Sequence, residues 1–90
     1  MKSLRITTQY RKDLKRVHSR GYKIAKLTAI VDKLRSATPL SPIDDDHPLK
    51  GSWESYRACH IQGDWCLIYQ SSKDEVVLAR TGTHADLFKN

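Results

Sequence analysis

Residue types suited to proton transfer and phosphate binding are concentrated between residues 60 and 84, at His60, Asp64, Trp65, Arg80 and His84. Histidine exchanges a proton near neutrality because its ordinary pKa is about 6.5. Arginine has a fixed charge and planar donors that match phosphate oxygens, and tryptophan can stack on an unpaired base. RNA carries its own nucleophile in the 2′-hydroxyl, so a base, an acid and a cation suffice to cleave it. We therefore expect this set to be capable of cleaving RNA without a metal.

An alternating pattern of apolar residues predicts the strands that position these side chains. The period becomes two after residue 54, and the apolar runs are 56–61, 65–69 and 76–79. Short polar segments separate the runs, which is typical of an antiparallel meander.

The positions of the turns predict which residues face each other. With 62–63 as the first turn, His60 faces Trp65, and with the second turn centred on 72–73, Trp65 faces Arg80. The three side chains then form one row at one end of the sheet. A slip of one residue would separate them, because it moves each side chain to the other face.

Each of these residues also has an ordinary structural interpretation. His60 is typical of a partly buried histidine at a strand end, and Trp65 of a core residue. Arg80 suits an ion pair at the edge of the sheet, with Asp64 as its partner, and His84 suits a cap or a solvated tail. Only their convergence in one row favours a functional site.

Two basic helices are predicted to pack on this sheet. A strand at 3–7 precedes a helix that Thr8 caps and Gly21 ends, and a second helix follows at 22–36 with its apolar residues on one stripe. The order β-α-α-β-β-β predicts a single α+β domain over 1–90, in which a helical hairpin packs on a mainly antiparallel, four-stranded sheet.

A long loop is predicted between the helices and the meander. Residues 37–53 contain three prolines and the acidic run Asp44, Asp45 and Asp46, whose charges we interpret as solvated. A loop of this length in so small a domain is commonly functional or disordered.

The basic charge is concentrated in the predicted helices. Residues 1–36 contain eleven Lys or Arg against two Asp, a net +9, whereas the remainder has five against eight, a net −3. Such a surface attracts a polyanion or an acidic protein segment. Well-solvated helices with no charged partner are the structural alternative.

The two cysteines are expected to be thiols in the core, because two are too few for a disulfide framework. The turn at 62–63 would make Cys59 face Cys66. Zinc binding by His47, Cys59, His60, Cys66 and His84 is a weak alternative, because no Cys or His pair has metal-ligand spacing. A nucleophilic cysteine has no support either.

No secretory signal or membrane-length apolar run is present, so we expect a cytoplasmic location without membrane contact.

The spaced residues of the second half resemble those of one toxin family. The pattern runs Asp-His-Pro-Leu-Lys-Gly-Ser-Trp at 46–53, Tyr-Arg at 56–57, His60, Asp-Trp at 64–65 and Arg-Thr-Gly-Thr-His at 80–84. It is similar to the YafQ branch of the RelE/ParE toxin superfamily. The resemblance spans the chain, with the motifs at about 46–88 and the helical half matching mainly in pattern. The resemblance implies a RelE-like fold and a ribosome-dependent mRNA interferase of a type II toxin-antitoxin system.

The resemblance also implies roles for individual residues. The family's favoured general acid matches His84, its candidates for base or orienting partner match His47 and Asp64, and its arginine matches Arg80. A further catalytic histidine matches His60. The residues that match substrate-binding positions are Trp65, Phe88 and Lys50. No metal or cofactor is implied.

The partners implied are a cognate antitoxin, mRNA and the 70S ribosome, with 16S rRNA contacted by the basic helical hairpin. His47 lies outside the predicted row, so the proline-rich loop must fold back to reach Arg80 and His84.

Two other functions fit the same fold. A ParE-like toxin acts on DNA gyrase by protein contact and has no need for three histidines and an arginine at one site. A non-catalytic RNA-binding module would keep its activity after loss of His84.

Overall fold

The computed structural model describes residues 1–88 and contains one mixed sheet of five strands. The strands are β1 (Ser3–Ile6), β2 (His47–Pro48), β3 (Arg57–Gln62), β4 (Trp65–Ser71) and β5 (Glu75–Thr83). The order across the sheet is β1-β5-β4-β3-β2; β1 is parallel to β5 and the other pairs are antiparallel. The α+β class is confirmed. The predicted count of four strands is wrong by one, because the two-residue strand β2 forms inside the segment that we expected to be a loop.

Two long helices and one short helix accompany the sheet. They are α1 (Thr8–Ser19), α2 (Ile24–Arg35) and α3 (His84–Leu87), and single 3₁₀ turns occur at Pro42–Asp44 and Gly51–Trp53. The hydroxyl of Thr7, one residue before the predicted cap, accepts from the backbone N–H of Tyr10 at 2.9 Å. The second helix begins two residues later than predicted, and Tyr22, which precedes it, packs on Trp65 with ring centroids 5.0 Å apart.

The sheet is covered on both faces, which explains why β4 is buried from Trp65 to Tyr69. Both long helices pack on one face, in a core built from Val17, Leu27, Leu34, Leu67 and Leu78 among others. A smaller cluster occupies the opposite face. It contains Ala58, Cys66, Ile68, Ala79 and Leu87, with Leu49, Trp53, Tyr56 and Phe88 packed around them. The predicted loop and α3 therefore form the second cover of the sheet.

The register of the meander differs from the predicted one. Gln62 pairs with Trp65, so the turn residues are Gly63 and Asp64, and His60 pairs with Cys66 rather than with Trp65. The turn alone would shift the pairing by two residues, and an irregularity between His60 and Gln62 reduces the shift to one at His60. A second irregularity in the β4-β5 pairing places Arg80 opposite Ile68 and Thr83 opposite Trp65. The predicted row of His60, Trp65 and Arg80 is therefore wrong.

No helix within residues 1–88 combines the length and apolar character needed to cross a bilayer.

Candidate functional site

Two rows of residues, different from the predicted one, bring the candidate site together. One row crosses four strands and reads His47, Ala58, Ile68 and Arg80. The next row reads His60, Cys66 and Gly82, which is two residues before His84. Adjacent strands are about 4.8 Å apart, so backbone positions two strands apart lie about 10 Å from each other. Strand β2 adds His47 to the first row because the loop folds back against β3. The loop does not pair with β5, which carries Arg80, and the backbones of His47 and Arg80 are three strand spacings, about 14 Å, apart.

Asp45 lies between the two histidines on β2 and β3. Its Oδ2 is 3.7 Å from Nε2 of His60 and 3.9 Å from Nδ1 of His47, and its backbone oxygen is 2.7 Å from the same Nδ1. The backbone of Asp45 is left-handed, with φ of 50°, which reverses the chain just before β2. A carbonyl oxygen only accepts, so this contact assigns the proton of His47 to Nδ1 and leaves Nε2 as an acceptor.

Asp46 attaches the loop to the sheet. Its Oδ1 accepts from the hydroxyl of Tyr69 at 2.6 Å and from Nε of Arg57 at 3.1 Å. Asp44 accepts from the backbone N–H of Ser41 in a capping box. The interpretation of the three aspartates as solvated charges is therefore incomplete: it fits Asp45, whose side chain is 64% exposed, but Asp44 and Asp46 are held by hydrogen bonds. The Ser-x-x-Asp spacing at 41–44 was a signal for the cap.

Arg80 is held by a carboxylate that sequence reasoning did not single out. Its Nε and Nη2 donate to the two oxygens of Asp13, each at 2.9 Å, and not to Asp64. The side chain of Asp13 is completely buried. It also accepts from Gln9, Arg16 and the backbone N–H of Thr81. Burial alone would raise the pKa of Asp13, but the hydrogen bonds from Arg80 and Gln9 outweigh it and the pKa lies below its usual value.

His84 opens α3 at the end of β5 and is exposed. Thr83 and Asp86 form a capping box that starts the helix, and the backbone N–H of His84 donates to the backbone oxygen of Asp64 at 3.0 Å. The rings of His84 and Phe88 are 4.7 Å apart and tilted by 45°. Asp64, His84 and Phe88 therefore meet at the same end of the sheet.

The remaining predicted substrate-binding residues have different environments. Trp65 is 2% exposed and lies in the helical core, where its Nε1–H donates to the hydroxyl of Thr81 at 2.9 Å. Its ring has no face open to a base, so its position is that of a core residue. Lys50 is exposed and caps the 3₁₀ turn at Gly51–Trp53.

The two cysteines lie in different cores. Cys59 belongs to the helical core and Cys66 to the smaller cluster, so they are on opposite faces, and their predicted pairing is wrong. Burial raises the pKa of Cys59 to about 12 and that of Cys66 to about 11. Neither thiol is suited to be a nucleophile or a metal ligand. Within the described chain, no three His, Cys, Asp or Glu side chains are grouped to hold a metal ion.

The fold is a small α+β domain whose sheet carries His47, His60 and Arg80 in two neighbouring rows, with His84 directly after β5. The family model described as "Bacterial toxin of type II toxin-antitoxin system, YafQ" matches residues 2–89. The chain belongs to this family.

Relatives in two species support the assignment. The mRNA interferase toxin YafQ of Escherichia coli strain K12 is 43% identical over 81 residues, which are 89% of this chain and 88% of that protein. A chain in the crystal structure of the E. coli DinJ-YafQ complex superposes with a TM-score of 0.90 at 37% identity, covering 98% of this chain and 99% of that one. A copper-bound mutant toxin from Helicobacter pylori has a TM-score of 0.92 at 36% identity, with coverage of 98% and 100%. The family predicted from sequence is confirmed.

Proposed function

We propose that this protein is a ribosome-dependent endoribonuclease toxin that cuts mRNA in the ribosomal A site. The observation that carries the proposal is the placement of His47, His60 and Arg80 in two neighbouring rows of the sheet, with His84 directly after β5. The name of the E. coli relative, an mRNA interferase, agrees with it. Ribosomes also imply a cytoplasmic site of action.

The proposed reaction is attack of a 2′-hydroxyl on the adjacent phosphorus, with departure of the 5′-oxygen. One group removes the 2′ proton and another protonates the leaving oxygen. We assign the acid to His84, which is exposed at the start of α3. His47 suits the base, because its contact with the carbonyl of Asp45 leaves Nε2 free to accept. Asp64 is the alternative base or orienting group.

Arg80 and the residues beside it complete the proposed site. The Nη1 donors of Arg80 are not used by Asp13 and can stabilise the charge that develops on the phosphorane. His60 provides a second imidazole beside the scissile phosphate. Phe88, half-buried against His84, offers a ring on which a base can stack, and the exposed Lys50 supplies a positive charge for the RNA backbone.

The proposed partners follow from charge and from the similar structures. The basic helices α1 and α2 suit contact with 16S rRNA, because their Lys and Arg side chains can neutralise RNA phosphates. The same surface suits an acidic segment of a cognate antitoxin. The DinJ-YafQ complex of E. coli is an instance of such a pairing in a similar protein.

An mRNA that lacks the 2′-hydroxyl at the cleavage site tests the proposed chemistry. Programmed ribosomes would present an A-site codon in which the nucleotide before the cut is 2′-deoxy. We expect cleavage of the unmodified mRNA, with a 2′,3′-cyclic phosphate on the 5′ product, and no cleavage of the deoxy substrate. Cutting of the deoxy substrate would exclude 2′-hydroxyl attack.

The metal requirement is tested separately, because a copper-bound toxin is among the similar structures. The protein would be stripped with EDTA, dialysed and then added to ribosomes in magnesium buffer. We expect full activity; recovery only after addition of a transition metal would contradict the mechanism. Intact mRNA together with persistent toxicity would instead favour a ParE-like action on gyrase.

A further inference from the structure

The strongest feature outside the proposed catalytic groups is the buried carboxylate of Asp13. Residues 1–36 contain eleven basic residues and only two acidic ones. Of the two acidic residues, Asp13 has a side chain that is completely removed from solvent. Burying a carboxylate is costly unless it is paired and hydrogen-bonded. Apolar residues often serve stability as well as a buried ion pair does, so burial of this charge calls for a reason besides stability.

The place of Asp13 in the fold suggests that reason. Strand β1 ends at Ile6, and the hydroxyl of Thr7 donates to the backbone oxygen of Ala79. Within residues 1–88, no strand pairs with β5 on that side beyond Leu78. The carboxylate of Asp13 lies beside this free edge, where it accepts from the backbone N–H of Thr81 at 3.3 Å and from both Nε and Nη2 of Arg80. It therefore fixes the backbone after Arg80 and the plane of the guanidinium at the same time.

The pairing leaves part of Arg80 available. Its side chain is 22% exposed and lines a polar cleft of about 570 Å³ with Arg16, Arg20, Asp86 and Leu87. Arg16 also contacts Asp13 at 3.3 Å. Two guanidinium groups therefore share one buried carboxylate, and this part of the cleft retains positive charge.

From these contacts we propose that Asp13 is a positioning residue for the reaction, which holds Arg80 in the orientation that stabilises the phosphorane. The inference rests on the proposed function. A two-point contact restricts both the torsion angles and the plane of the guanidinium, whereas a single hydrogen bond would leave it free to rotate. Without Asp13, Arg80 would keep its charge but lose its direction.

The test is Asp13→Asn in single-turnover cleavage on programmed ribosomes, with rates normalised to folded protein. The substitution keeps the size of the side chain and removes its charge. We expect the maximal rate to fall about 10- to 100-fold, as misplacement of a catalytic group does, while the toxin concentration for half-maximal rate stays unchanged. Val17→Ala, at another buried position of α1, is the control for lost stability and should cleave at the wild-type rate once folded.

A double-mutant cycle separates positioning from a general structural effect. In an Arg80→Ala background, Asp13→Asn should not lower the cleavage rate further, because Asp13 acts on the reaction only through the Arg80 side chain. Full activity of Asp13→Asn per folded molecule, or losses that multiply in the double variant, would overturn the inference while leaving the proposed function intact. A wild-type protein that cuts no mRNA would refute both.

A measurement on the wild type does not depend on how the variant folds. The Nε–H of Arg80 donates to a buried oxygen, so its NMR signal should be visible and protected from exchange with water at neutral pH. Rapid exchange at this position would show that the guanidinium is not held, and would overturn the inference without any substitution.

Discussion

Replacement of Asp46 by asparagine tests how the loop that carries His47 is fixed to the sheet. The carboxylate accepts from the hydroxyl of Tyr69 at 2.6 Å and from Nε of Arg57 at 3.1 Å. Tyr69 is 2% exposed, so its hydroxyl has no access to water as a substitute partner. Asparagine keeps one acceptor oxygen, but the bond from Tyr69 becomes neutral and the bond from Arg57 loses the negative charge of its acceptor.

The expected decrease in the free energy of unfolding follows from these two contacts. A hydrogen bond to a charged group contributes about 1.5–3 kcal/mol and a neutral one about 0.5–1.5 kcal/mol, so the buried bond should lose about 1–1.5 kcal/mol. The Arg57 side chain is 41% exposed, and its contact should lose only about 0–0.5 kcal/mol because solvent screens it. The free energy of unfolding should therefore fall by about 1–2 kcal/mol, which for a domain of this size lowers Tm by roughly 4–16 °C.

Urea unfolding of Asp46→Asn and Asp45→Asn would measure this difference. Asp45 belongs to the same loop and undergoes the same chemical change, but its side chain is 64% exposed, so its effect on stability should stay within about 0.5 kcal/mol. Equal stability of the two variants would refute the view that Asp46 anchors the loop. Asp46→Asn should also cleave mRNA more slowly, since His47 is the next residue.

Three further predictions test separate parts of the structure. Cys59 and Cys66 should resist thiol reagents in the native state at pH 8 and react only on unfolding, because burial raises their pKa values to about 12 and about 11; fast labelling of folded protein would contradict this. The hydrogen bond from Arg20 lowers the pKa of Asp86 to about 2, so this contribution to stability is complete above about pH 4 and is lost as the pH falls toward 2. An NMR titration should find the pKa of Asp86 closer to its ordinary value in Arg20→Ala, and an unchanged value would disprove the pairing. Trp65→Phe should destabilise the fold by about 1–3 kcal/mol through loss of the indole hydrogen bond, yet leave the cleavage rate per folded molecule unchanged; a lost rate with intact stability would indicate base stacking instead.

Periodicity was sufficient to predict the main elements, because each one buries its own apolar stripe. Helix α1 and strands β3 to β5 lie within a few residues of the predicted ranges. The two-residue β2 was missed because it depends on pairing with another strand, His47 opposite Ala58, which local sequence does not encode. The predicted start of α2 was two residues too early.

The geometry of the candidate site was less predictable than its composition. The motif residues were identified from their spacing, but their relative positions depend on the β-turn at 63–64 and on two strand irregularities. Each irregularity shifts the pairing by one residue, and only the folded sheet determines where it forms. The partner of Arg80 lies 67 residues earlier in the chain, at Asp13, so spacing offered no signal for it.

Cleavage of mRNA on translating ribosomes, mapped by primer extension, tests the central claim most directly. Wild type, His84→Ala and Val17→Ala would be compared at equal folded amounts. We predict cuts within A-site codons for the wild type and Val17→Ala, and none for His84→Ala, because the leaving oxygen then has no acid beside it. Cuts that persist undiminished in His84→Ala, or a wild type that leaves mRNA intact, would contradict the assignment of this site to RNA cleavage.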